Sequence, residues 1–277
     1  MPATIGQPAK RKLGLRFAIR RLEYRFRLQW SWWLVPHRPF VPIFVLASQR
    51  CGSNLLIDYL NQLSGLGCRG EVLCPTVAIG PRQASMPPNA ALRHIQLSLQ
   101  ALKSPLRACK LMLNQLANCQ LKVDDIQAAF STARYIVLYR QSLAEQFVSL
   151  QTARATRQWQ LRKGQEEPKQ SRIVVDPAAL RSFCEDQRRA YREVVTKNWL
   201  GERALVVSYE EFTSNPSYWL PKRICPHVGT PPCHPAARLL KQNKRTLAES
   251  VENYTEVAEL LTSDLCQQRY ELGAAGT

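Results

Sequence analysis

Residues 44–60 read FVLASQRCGSNLLIDYL. An apolar run stops at Ser-Gln-Arg-Cys-Gly-Ser-Asn, and a second apolar run with helical spacing begins at once. This is the pattern of a strand, a tight loop and a helix in direct succession. Gly52 lets the backbone turn and lets a ligand come close to it. Ser53 is placed to cap a helix predicted over 53–64, and Gly65 stands just past its end. The first N–H groups of such a helix point outward, and its dipole favours an anion there. Each charge–dipole contact contributes only about 0.3–1 kcal/mol, so several donors must converge to hold a phosphate. Arg50 adds a permanent cation with forked donors. A plain structural turn fits the same residues. A Walker loop, GxxxxGK[ST], is absent, which argues against an ATP- or GTP-binding P-loop.

The rest of the chain repeats the alternation. Strands are predicted at PIFVLAS (42–48), RACKLML (107–113), RYIVLYR (134–140) and ALVVSY (204–209). Helices are predicted over 123–130, from a Ser142–Glu145 capping box to about Trp159, and from Asp176-Pro177 to Gly201. Residues 160–175 are polar and read as a mobile loop, and Thr246 with Glu249 caps a last helical region. Strands separated by helices predict an α/β fold: a mostly parallel central sheet flanked by helices, with a P-loop-like strand–loop–helix site. In such sheets ligands bind beyond the carboxyl ends of the strands.

The 277 residues carry a net charge of +17, of which the first 40 hold nine Lys or Arg against one acid, Glu23. A basic surface suits an anionic partner or simple solubility. Residues 1–38 form a basic, Trp-rich extension and 39–277 the main domain. Within 13–36, Leu15, Ile19, Leu22, Phe26, Trp30 and Trp33 share a helical stripe, yet Leu22 to Trp32 also alternates as a strand would. The helical stripe spans more residues. Such a helix fits either a membrane surface or this protein's own core. No run of about 18 apolar residues predicts a transmembrane helix. Nine cysteines without regular CxxC pairs read as reduced thiols of a cytosol. With four scattered histidines, a His-rich metal site is not expected.

At the strand ends the sequence resembles the sulfotransferases that use 3′-phosphoadenosine 5′-phosphosulfate (PAPS). SQRCGSNLL is similar to their 5′-phosphosulfate loop, commonly R-S-G-[ST]-x-L, with Cys51 in place of the usual serine. YIVLYRQSLAEQFVSLQTA resembles their 3′-phosphate site, an arginine at a strand end followed one helical stretch later by a serine, here Arg140 and Ser149. RACKLMLNQL is similar to a strand bearing an active-site lysine, here Lys110. ALVVSYEEFTSNP resembles a strand end whose tyrosine can contact the adenine, here Tyr209. KQNKRTLAESVENYTEV resembles a late basic loop, from which Lys241, Arg245 or Thr246 could reach the cofactor. The echoes run in the family's order over about residues 42–257.

The resemblance implies a sulfuryl transfer from PAPS to an acceptor hydroxyl, with no metal. Arg50, Cys51, Gly52, Ser53, Asn54, Leu55, Arg140 and Ser149 would hold the donor. Arg50 and Lys110 would neutralise charge at the reacting centre. The cytosolic members' base is a histidine after the lysine strand, where this chain has Met112 and Leu113. LGCRGEVLCP instead resembles the Gly-Glu turn of bacterial and carbohydrate-type members, which makes Glu71 the expected base. A carboxylate base works best when burial lifts its pKa. A Glu71 merely paired with Arg69 is the plainer reading, and His94 is an outside candidate for the base. The implied acceptor is a sugar hydroxyl on a glycan or glycolipid, and the implied location is cytoplasmic or peripheral to a membrane. The reading also allows a homodimer among the partners. A non-catalytic nucleotide-binding or membrane-surface protein on the same fold is the alternative. A nucleic-acid binder ranks last, since no nucleic-acid module is present.

Overall fold

The computed structural model describes residues 39–74, 86–161, 164, 171–239 and 245–270. The N-terminal extension, with its helix-or-strand choice, and Lys241 lie outside them. Five parallel strands form one sheet in the order β2-β3-β1-β4-β5. They are β1 (Val41–Ala47), β2 (Leu66–Glu71), β3 (Leu106–Met112), β4 (Arg134–Tyr139) and β5 (Ala204–Ser208). Between them run α1 (Ser53–Leu60), α2 (Pro88–Gln100), α3 (Leu113–Asn118), α4 (Val123–Ala129), α5 (Leu143–Thr156) and α6 (Pro177–Val195). After β5 come α7 (Tyr209–Ser214), several short turns, α8 (Leu247–Ser250) and α9 (Tyr254–Thr262).

The two-residue period of the strands sorts their side chains onto two buried faces. Phe44, Leu46, Cys109, Leu111, Tyr135 and Val137 pack with Ile95 and Leu99 of α2, Ile126 of α4 and Tyr191 of α6. Ile43, Val45, Ile136, Leu138 and Val207 pack on the other face with Leu56 and Leu60 of α1 and with Phe212. A third cluster joins α5, α6 and α9 through Phe147, Leu180 and Leu261. Helices therefore cover both faces, and the α/β architecture read from the sequence is the one observed.

Several of the predicted boundaries need correction. The cap of α1 is Gly52, at φ +83°, and Ser53 is the first helical residue. The helix ends at Leu60, and Gly65 turns the chain into β2 with φ +74°. The strand β2 itself was read as a turn. Its sequence LGCRGE has little β preference, and pairing to β3 imposes the strand with a register shift between Cys68 and Glu71. Ser142 caps α5 by accepting from the Glu145 N–H, but the Glu145 carboxylate does not complete the box, and the helix stops at Thr156. The long helix α6 ends at Val195, before Gly201. The segment before it is fixed at its end: Ile173 pairs with Val251, and Val175 is buried.

β1 has β3 on one side and β4 on the other; the chain goes from β1 to the β2 edge and back to β3, then crosses to β4 and on to β5. The crevice beyond β1 and β4 is therefore the switch point where α/β sheets bind ligands.

Candidate active site

A cleft of about 1010 Å³ opens at that switch point. Its walls come from the carboxyl end of every strand: Gln49–Arg50 after β1, Glu71 at the end of β2, Lys110 in β3, Arg140 after β4 and Tyr209–Glu210 after β5.

The loop after β1 is braced from below. The Tyr191 hydroxyl accepts from the Ser48 N–H at 2.9 Å and donates to the Leu138 carbonyl at 2.7 Å. Gln146 Nε2 donates to Ser48 Oγ at 2.7 Å and to the Gln49 carbonyl at 2.6 Å. These contacts hold Arg50 in the left-handed region, φ +63°, a conformation that costs a non-glycine residue about 1–2 kcal/mol. The loop thus presents its arginine in one direction. The Arg50 Nε donates to Ser149 Oγ at 3.0 Å, and its Nη1 to the Trp159 carbonyl at 2.8 Å. Burial, and then the nearby charge of Arg140, press the Arg50 guanidinium below its ordinary pKa. Two guanidinium groups held close are eased by an anion between them.

Gly52 has a second reason to be glycine. A Cβ there would lie 2.2 Å from Tyr209 Cδ2. The Tyr209 ring lies against the loop, with Arg140 Cζ 5.1 Å from its centroid. Gly52→Ala combines this clash with a positive φ. It should cost about 2–4 kcal/mol of stability by chemical denaturation or force the ring aside.

Lys110 is 2% exposed. Its Nζ donates to Asn54 Oδ1 and pairs with Glu71 Oε1 at 3.0 Å. Glu71 also accepts from Gln115 Nε2 at 2.8 Å. Burial by itself would raise the Glu71 carboxyl, but Lys110, Gln115 and the Cys74 thiol together hold it below the ordinary carboxylate value. The lifted pKa expected of a base is thus not present in this state, and the partner is Lys110 and not Arg69. Arg140, 7% exposed, pairs with Glu145 and lies 3.7 Å from Glu210 Oε1. Glu210 also accepts from the Gln141 N–H at 2.9 Å, which ties the end of β4 to the end of β5.

Of the residues singled out in the sequence, Arg50, Gly52, Ser53, Asn54, Leu55, Glu71, Lys110, Arg140, Ser149, Tyr209 and Arg245 line the cleft. Two stand apart. Cys51 turns its side chain into the core, where burial pushes its thiol up in pKa, so it reaches the cleft side only through its backbone. The Thr246 hydroxyl is engaged in the capping box of α8 with Glu249. His94 lies on α2, away from the lining residues. The sequence reading missed Gln115, which braces Glu71, and Glu210, which faces Arg140, and it took Glu145 only as a capping group. Gln115 follows Lys110 at five residues, across a strand-to-helix junction that had no boundary signal of its own. No helix among the described residues is long and apolar enough to cross a membrane.

The sequence matches no protein-family model and no curated protein. Solved structures similar to it in fold include two sulfotransferases. One is a sulfotransferase from Alicyclobacillus acidocaldarius, with a TM-score of 0.47 and 12% identity over 82% of this chain and 92% of that one. The other is the sulfotransferase domain from the curacin biosynthetic pathway, with a TM-score of 0.41 and 16% identity over 86% of this chain and 95% of that one.

Proposed function

We propose that this chain transfers a sulfuryl group from PAPS to an acceptor hydroxyl. One observation carries the reading. The two stretches that resemble donor-binding motifs lie 99 residues apart, and they meet at the hydrogen bond from Arg50 to Ser149. Arg140, beside them, donates to the Arg50 carbonyl at 3.4 Å. A buried and a half-buried guanidinium group, a serine hydroxyl, a helix N-terminus with no side-chain cap and a buried lysine make a donor set suited to a nucleotide with phosphates at both ends.

When bound, the donor supplies an electrophilic sulfuryl group. In this reading Arg140 and Ser149 hold the 3′-phosphate, and Glu145, half exposed, swings toward solvent to release Arg140. Arg50, Ser53 and the backbone of Gly52 hold the phosphosulfate end, and Tyr209 flanks the adenine. Arg245, also in the cleft wall, adds a further cation for the donor. Lys110 turns from Glu71 to the incoming anion and neutralises the charge that develops on the leaving oxygen. Glu71, relieved of its cation, is then governed by burial, which lifts its pKa toward that of a working base. It takes the proton of the acceptor hydroxyl as the oxygen attacks sulfur. Positioning supplies most of the rest.

A sugar hydroxyl on a glycan or glycolipid is the acceptor we favour, because Asn114, Gln115 and Asn118 give that part of the cleft an amide-rich wall. The basic, Trp-rich residues 13–36 would keep a cytoplasmic enzyme near a lipid-linked acceptor. The direct test is transfer of label from sulfur-labelled PAPS to a panel of saccharides. Labelled product would support the reading. Tight binding of the nucleotide with no product from any acceptor would favour a non-catalytic sensor, a reading suited to the mutual pairing of Glu71 and Lys110.

A further inference from the structure

β4 runs between β1 and β5 only as far as Tyr139: its last pairs are Leu138 with Ala47 and Tyr139 with Ser208. The chain then carries Arg140 into the cleft, and the buried backbone there needs partners from outside the sheet. They come from the last described residues. Gln268, 5% exposed, donates from its side-chain Nε2 to the Arg140 carbonyl at 2.8 Å and from its backbone N–H to the Gln141 carbonyl at 3.0 Å. Gln267 bridges Ser142, the cap of α5. A carbonyl only accepts, so the amino end of the Gln268 amide must face Arg140 and its oxygen must face the other way. That oxygen accepts from the Tyr270 hydroxyl at 2.9 Å. The Tyr270 ring stacks on Tyr191 with centroids 5.7 Å apart and meets Tyr139 edge-on at 5.1 Å. Both ends of the amide are thus tied, and Tyr191 is the residue that also braces the loop after β1.

We propose that Gln268 is a positioning residue for the donor's 3′-phosphate, acting through the backbone of Arg140. The inference rests on the sulfuryl-transfer reading above, which gives that phosphate to Arg140. The guanidinium sits at the end of a long, flexible side chain. In the free protein Glu145, Glu210 and the Arg50 carbonyl hold it. A phosphate that takes the place of Glu145 removes the closest of these holds. The two that remain, 3.7 Å to Glu210 and 3.4 Å to the Arg50 carbonyl, are long. The direction of the arginine then depends on how firmly its main chain is fixed, and Gln268 fixes it from behind. Gln268 is not among the residues that line the cleft, so its influence on a bound nucleotide passes through Arg140.

The test is calorimetric binding of 3′,5′-adenosine bisphosphate and of adenosine 5′-monophosphate, which lacks the 3′-phosphate. It compares the wild type with Gln268→Met, Arg140→Ala and the double variant. Methionine keeps the shape of glutamine and removes the donor. Gln268→Met should weaken the bisphosphate about tenfold or more, as a small misplacement of a binding group does, and leave the monophosphate unchanged. In the Arg140→Ala background the same substitution should change neither, since the group it acts through is gone. Tyr270→Phe keeps the ring stack but frees the amide to turn over. It should show the same selective loss at smaller size, and it carries the test if Gln268→Met does not fold. A merely structural glutamine would weaken both nucleotides by one factor, or add a further loss in the Arg140→Ala background, and either result overturns the inference. So does an unchanged bisphosphate affinity in the folded variants. Failure of the wild type to bind the bisphosphate would instead overturn the sulfuryl-transfer reading, and this inference with it.

Discussion

Glu71→Gln should lower turnover by about 10²–10⁴-fold, the usual contribution of a positioned general base. Its affinity for 3′,5′-adenosine bisphosphate should stay close to that of the wild type, since the carboxylate serves the acceptor and not the nucleotide. The variant should fold: Gln115 can turn its amide over and accept from the new NH2 group, while the new carbonyl faces Lys110. The pH profile adds a second readout. In the free protein Lys110 and Gln115 keep Glu71 below the ordinary carboxylate value against the opposing effect of burial. In the loaded protein Lys110 is engaged elsewhere and burial dominates. The acid limb of kcat/KM, which reports the free protein, should therefore lie at lower pH than the acid limb of kcat. Coincident limbs would remove Lys110 from any role in tuning Glu71.

Lys110→Met should have the largest combined effect. Turnover should fall about 10²–10³-fold with loss of the buried cation that faces developing charge. Stability should fall as well. Breaking a fully buried ion pair typically costs about 3–5 kcal/mol, and the 26% exposure of Glu71 brings the expectation nearer 2 kcal/mol. The sign of the pH dependence follows from the depressed carboxyl of Glu71. A group held low in the folded state contributes stability that is present above its unfolded pKa and is lost as pH falls through its folded pKa. Without Lys110 burial governs, and the carboxyl rises above the unfolded value. The gap in unfolding free energy between wild type and variant should thus be widest near neutral pH and close as pH falls below the carboxylate range. Urea titrations across pH measure it. A gap that widens in acid would contradict the pairing.

Much of this was legible in the sequence because two signals reinforced each other. The run YIVLY is apolar at every position, as a sheet covered on both faces demands, and it ends at the polar Arg140; FVLA likewise ends at Ser48. That combination located the parallel sheet and, at its strand ends, Arg50, Arg140 and Tyr209. The strand β2 escaped because LGCRGE carries no such signal. Its conformation is imposed by β3, and with it comes the placement of Glu71 beside Lys110. Helix ends were misplaced for a similar reason. Gly52 caps α1 through its backbone conformation, not through a side chain, so Ser53 gave a misleading cue. Charge pairing was the least visible feature. Lys110–Glu71 spans 39 residues and Arg140–Glu210 spans 70, and only the register of neighbouring strands brings them together.

The central claim is that the cleft holds a nucleotide bearing a 3′-phosphate. Calorimetric titration with 3′,5′-adenosine bisphosphate, comparing the wild type with Arg140→Ala, tests it most directly. Binding in the micromolar range that weakens by about 10²-fold or more in the variant is the predicted result, as expected for loss of a charge-assisted contact to phosphate. No binding by folded wild type, or equal binding by both proteins, would contradict the account.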